Sequence, residues 1–146
     1  MVRHRLIVIS VLVAAIGGCS GETDPSASPG VSLVLYEHPN GAGTVLLGEP
    51  GRLAAQGRCL VLISSRDGTA YDLVWPSPAT AWDPASQTVT LGGVAATIGD
   101  QVTLTGGPTR GRGDENPLSF LNPPPRECIS EHQWVVGGME RADAAD

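Results

Sequence analysis

The sequence predicts an all-β domain behind a short apolar leader. Nineteen Gly and twelve Pro in 146 residues leave little room for long helices and supply many turns. Short apolar runs, several with strict alternation, recur between Gly, Asp, Asn and Pro clusters from Val31 to Val136. The aromatics are few (Tyr36, Tyr71, Trp75, Trp82, Phe120 and Trp134), so the core must be built mainly of Val, Leu, Ile and Ala.

At the N-terminus, Arg3 and Arg5 precede Leu6 to Ile16, eleven residues without a charge. That is the length of a signal-peptide core and too short for a bilayer, which takes about 20 residues. The run closes on Ile16-Gly17-Gly18-Cys19. An aliphatic residue, two small residues and a Cys resemble the lipobox of bacterial lipoproteins, with Ile16 where Leu is commonest. The resemblance implies a diacylglycerol on the Cys19 thiol and cleavage just before it. Two other readings are an ordinary secretory signal, cut after Ala15 or Gly18, and a buried hydrophobic helix. On the lipobox reading, residues 1–18 are the signal peptide. Residues 19–30, beginning with the lipidated Cys19, are a flexible tether of small polar residues and Pro. Residues 31–136 are the folded domain, and residues 137–146 a frayed acidic tail.

Within the domain, Val31 to Glu37 reads as a first strand, followed by turn chemistry at His38 to Gly43. Thr44 to Leu47 and Arg52 to Ala55 read as two short pieces separated by Pro50-Gly51, the second of which could form a single helical turn. Cys59 to Ser64 is the strongest strand. Cys59, Val61 and Ile63 face one way and Leu60 and Leu62 the other, the pattern of a strand covered on both faces. Asp67-Gly68 is a hairpin turn returning to Ala70–Trp75, where Tyr71, Leu73 and Trp75 share a face until Pro76 and Pro78 end the pairing. Ala79 to Ser86, with Trp82, reads as a loop. Gln87 to Leu91, Val94 to Ile98 and Gln101 to Thr105 are strands separated by Gly92-Gly93 and Gly99-Asp100, and Gly106-Gly107-Pro108 closes the last. Residues 108–127 form a long polar loop, and Cys128 to Val136 a final strand. This succession fits a small, partly open β-barrel of the OB-like kind, five to seven strands with long loops.

The order Gly57-Arg58-Cys59-Leu60, Leu73-Val74-Trp75-Pro76, Gly99-Asp100 with Val102, Gly106-Gly107 and a late Cys128 resembles small lipoproteins of actinobacteria. The resemblance spans about residues 45–136. It implies an extracytoplasmic β-barrel and brings no catalytic residue with it.

All nine basic residues are Arg, and loss of residues 1–18 takes the formal charge from −6 to −8. The remaining Arg residues are scattered, which argues against nucleic acid and against charge-driven binding to anionic lipid. With Cys19 lipidated, Cys59 and Cys128 remain as a pair. Outside the cytoplasm such a pair forms a disulfide as a rule, and closing a loop of about 70 residues contributes roughly 4 kcal/mol by chain entropy. Zinc is disfavoured: only His38 and His132 could join the two thiols, and their spacing matches no common zinc pattern.

No G-x-S-x-G motif, paired carboxylates or D-x-D-x-D-G loop is present. Asp67, Asp83 and Asp100 read as turn residues, and Asp114-Glu115 as a solvated face. Arg112-Gly113-Asp114 spells the integrin-binding tripeptide, a match that arises easily by chance in a Gly-rich loop. Trp75 and Trp82 flank a Pro-rich loop and could stack on a sugar or peptide at a barrel mouth. The plainer alternative has Trp75 filling the core and Trp82 capping its end. The sequence therefore predicts a non-enzymatic, membrane-anchored module, without metal or cofactor, binding a protein or glycan of the cell envelope. A structural or regulatory role through residues 108–127, or an enzyme acting on envelope polymers, are the alternatives.

Overall fold

The computed structural model describes residues 30–37, 47–109 and 118–142. The leader with Cys19, the turn with His38 and the Arg112-Gly113-Asp114 loop lie outside the described residues. The strands are β1 (Val34–Glu37), β2 (Leu47–Gln56), β3 (Cys59–Ser64), β4 (Ala70–Ser77), β5 (Thr80–Asp83), β6 (Thr88–Leu91), β7 (Val94–Thr97), β8 (Gln101–Pro108) and β9 (Gln133–Arg141), with a 3-10 turn at Arg126–Cys128. The all-β class read from the sequence stands. Among the described residues no helix is long and apolar enough to cross a membrane.

Five strands pair in a closed ring, β2–β3–β4–β9–β8 and back to β2. Every pairing in it is antiparallel except β4 with β9. β1 adds in parallel to the other edge of β4, and β5–β6–β7 form a separate meander between β4 and β8.

Gly51 lets β2 serve two partners. The strand pairs with β8 over Leu47–Arg52 and with β3 over Gly51–Gln56. A Cβ at Gly51 would sit 2.5 Å from the Ile63 carbonyl oxygen, so only glycine permits the crossing. Pro50 precedes the β3 pairing, where its missing N–H removes no ladder bond to that strand, and its carbonyl accepts from Ser65 N at 2.9 Å. The expected break at Pro50-Gly51 is thus a bend within one strand. The turn at Asp67-Gly68 is as read, with Thr69 N donating to Asp67 Oδ1 at 2.9 Å and Gly68 at φ 76°.

Three further expectations are corrected. Trp82 lies in strand β5 and not in a loop, because Pro78 and Pro84 flank the strand without entering it. Gly106-Gly107-Pro108 continues β8 through a bulge beside Gly106. The tail placed at 137–146 instead carries β9 through Arg141, so the folded domain extends past Val136. Gly137 and Gly138 look like breakers, yet Gly138 opposes Thr105, whose Oγ1 would lie 2.5 Å from a Cβ there. Close approach, not chain freedom, explains that glycine.

Two apolar clusters result. The inner one fills the ring with Leu53, Leu60, Leu62, Leu73, Trp75, Val102, Leu104, Trp134 and Val136, and the meander adds Val89, Leu91 and Ala96. The outer one joins Val34, Tyr36, Cys59, Val61, Val74 and Cys128. Strand β3 therefore separates the two as its two-faced apolar pattern predicts, Leu60 and Leu62 inward, Cys59 and Val61 outward.

Candidate functional site

Cys59 and Cys128 form the expected disulfide, with Cα atoms 5.3 Å apart. It joins the first residue of β3 to the 3-10 turn, and both cysteines are buried. Cys19, the third cysteine of the sequence, lies outside the described residues.

The two tryptophans that could stack on a ligand differ in burial. Trp75 is 0 % exposed and fills the ring core, as the plainer of the two readings has it, and is not available to stack on a ligand. Its alternation with Leu73 on β4 turns it inward. Trp82 is half-buried and packs against the same core from the meander. The indole N–H groups of Trp75, Trp82 and Trp134 find no acceptor among the described residues.

A half-open groove of about 490 Å³ lies beside this end of the core. Its walls are the β4–β5 turn (Pro76 to Ala79), the β6–β7 turn (Leu91, Gly92, Val94) and Gly137 to Met139 of β9. Sequence reasoning missed it, since its walls meet only once the meander folds back on β9. β9 pairs with β4 only over Gln133–Val135, where its partners are Asp72 to Val74; the β4 ladder to β9 stops two residues before Pro76. Beyond that point the strands diverge and the groove opens. Among the described residues no charged side chain lines it.

A polar cluster occupies the opposite end of β3. Ser64 Oγ donates to Glu49 Oε1 at 2.5 Å, Arg66 N donates to Ser64 Oγ at 3.1 Å, and Arg66 Nη2 donates to the Gly48 carbonyl at 2.9 Å. Arg66 Nε stands 3.6 Å from Glu49 Oε2. Among the described residues Ser64 has a carboxylate and a backbone donor as hydrogen-bond partners and no imidazole. The arrangement clasps β2 to the β3–β4 hairpin. Nearby, burial first and then the charges of Asp67 and Glu49 raise the Tyr71 phenol. Tyr71 lies edge-on to Trp134 and to His132, ring centres 5.6 and 6.3 Å away.

His132 is exposed and faces Glu131 at 3.7 Å, and Asp100 pairs with Arg141 at 3.3 Å. Asp83 is held below the usual carboxylate range by Ser86 Oγ and by Ala85 N. These acids act as turn residues. Among the described residues no three of His, Cys, Asp and Glu gather as metal ligands. Compared with protein-family models, curated proteins and solved structures, the chain matches none.

Proposed function

We propose that this chain is a lipid-anchored, extracytoplasmic binding module of the bacterial envelope, without enzymatic activity of its own. The observation that carries the reading is the distribution of its three cysteines. Two are joined to each other, and the third stands directly after Ile16-Gly17-Gly18, the pattern of a lipobox. A buried disulfide suits an oxidising compartment, where the exported part of a lipoprotein resides. Acyl chains contribute about 0.8 kcal/mol per buried CH₂, so a diacylglyceryl group with a further acyl chain anchors firmly without a spanning helix.

For the fold we infer a small OB-like barrel. Taken in chain order, the ring strands β2, β3, β4, β8 and β9 pair as first–second–third–fifth–fourth and back to the first. The sole parallel contact lies between third and fifth. The meander fills the connection between third and fourth strands.

The groove beside Met139 is the concave surface where a ligand or partner would sit. Its uncharged lining of Pro, Gly, Ser77, aliphatic residues and Met139 suits an uncharged peptide or glycan segment and holds no cation for a phosphate. Metabolic labelling with radioactive palmitate tests the anchor: wild-type protein takes up label and Cys19→Ala does not. Crosslinking and pulldown from detergent-solubilised membranes tests the binding role. A stable partner lost on Gly92→Arg supports the groove, and a partner retained by that variant removes the groove from the account.

A further inference from the structure

We propose that the Cys59–Cys128 disulfide is a redox latch on the outer layer of the domain alone: the ring folds whether or not the bond is made, and the outer layer closes only when it is. This goes beyond the binding role and stands even if Cys19 carries no lipid.

The buried members of the two clusters divide with respect to the bond, while Leu35 of β1 packs against the inner one. The inner cluster contains neither cysteine and draws on every strand of the ring. The outer cluster is small, contains both, and depends on Cys128 to bring its covering segment onto β3. Besides the bond, that segment, residues 118–132, is held by the half-buried Leu118 against the outer cluster and by a few backbone ties. Its one regular element is a three-residue 3-10 turn without a side-chain cap, preceded by Pro123-Pro124-Pro125. Its backbone ties to the body are Glu37 N to the Ser119 carbonyl, Leu121 N to the Leu35 carbonyl, Ser130 N to Asp72 Oδ2 and Asp72 N to the His132 carbonyl. The first two go to β1, itself an added edge strand of four residues. Irregular chain pinned by so few bonds gains less than its ordering entropy costs unless a covalent link shortens the search.

With free thiols, the segment loosens from β3 and from its bonds to β1, and Val61 and Val74 meet solvent. The chemistry is an exchange with a dithiol. Each sulfur of the disulfide gains one electron and one proton, and the dithiol is oxidised to its own disulfide. Oxidation on export reverses this, and the bond then closes beneath its own cover. The same sequence thus presents an apolar outer face where thiols persist and a sealed one where they do not.

Hydrogen exchange of the full chain in detergent, read by mass spectrometry at residue resolution, tests the latch. Oxidised protein is compared with protein unfolded in dithiothreitol and refolded with the dithiol present, and with a Cys59→Ala/Cys128→Ala double variant. In both comparisons the amides of Glu37, Leu121 and Ser130 should lose protection by roughly a hundredfold or more, as in local release of one cooperative unit. Those of Leu53 and Gly99, bonded between β2 and the end of the meander, should change by less than about threefold. If the alanine variant fails to fold, the reduced wild-type chain, with its native sulfurs in place, decides. Loss of protection throughout the reduced wild type would show one cooperative unit and overturn the proposal. Unchanged protection at Glu37, Leu121 and Ser130 would overturn it equally.

Discussion

The Tyr36 hydroxyl donates to the Val136 carbonyl at 3.1 Å, across 100 residues of sequence. Val136 lies one residue past the end of the β4–β9 ladder, where the strands part company. Tyr36 thus reaches a β9 carbonyl beyond the β4–β9 ladder, where Val136 keeps Gly106 of β8 as its strand partner, and it links β1 to the ring by a side chain.

Tyr36→Phe should therefore lower stability by about 1–2 kcal/mol, the value of a buried hydrogen bond plus a carbonyl left short. A shift in the urea midpoint at constant m would show it. Burial raises the Tyr36 phenol above the ordinary 10.0. Its neutral form is favoured in the folded state, so this contribution is whole below the ordinary value. It is lost as pH rises through the higher folded one. The phenylalanine variant should lack that component of the alkaline transition.

Gly106→Ala should be severely destabilising, by about 2–4 kcal/mol. Its φ is 151°, and a Cβ there would overlap the Val135 carbonyl and lie 3.0 Å from Trp134 Nε1. Gly57→Ala is the control. Gly57 also has positive φ, but open space around it, and it should cost only about 1 kcal/mol, the conformational term alone. Thermal melts of the two variants should rank accordingly.

Much of this was legible locally. The inward and outward sides of Cys59–Ser64, the Asp67-Gly68 turn and the alternation around Val89 and Leu91 all appear in the structure as read. Two of the failures share one cause. Pro50-Gly51 and Gly137-Gly138 are breakers by composition, yet each is required by a neighbour distant in sequence: the Ile63 backbone for Gly51, the Thr105 side chain for Gly138. Trp82 was misplaced because Pro at both flanks masks a four-residue strand. The ring closure between β4 and β9 and the groove beside it depend on which distant strands meet, and local periodicity carries no such information.

The clasp at Glu49 divides into an inner and an outer part. Glu49 and Ser64 are buried, whereas the Arg66 side chain is 64 % exposed. Ser64→Ala should cost about 1–3 kcal/mol because it strips a donor from a buried carboxylate. Arg66→Ala should cost no more than about 1 kcal/mol, since a solvated ion pair is weak and screened. Denaturant titrations in low and high salt should separate the two, with only the Arg66 effect fading in salt.

Acid should loosen two turns before the core. The Thr69 backbone N–H holds the Asp67 carboxyl below its ordinary value, and the Ser86 hydroxyl does the same for Asp83. For both, the folded pKa lies below the unfolded one. Their contribution is present above the unfolded value and lost as pH falls through the folded one. Carboxyl carbon NMR titrations should give midpoints under the ordinary 3.8 for both groups. A midpoint at or above 3.8 would show that these hydrogen bonds do not persist in solution.

The fate of Cys19 is tested most directly by an intact-mass measurement of protein extracted from its host membranes. The predicted species begins at Cys19 and carries a diacylglyceryl group on sulfur, with Cys59 and Cys128 inert to iodoacetamide. A chain that begins at another residue, or whose Cys19 thiol is free to alkylate, would contradict it.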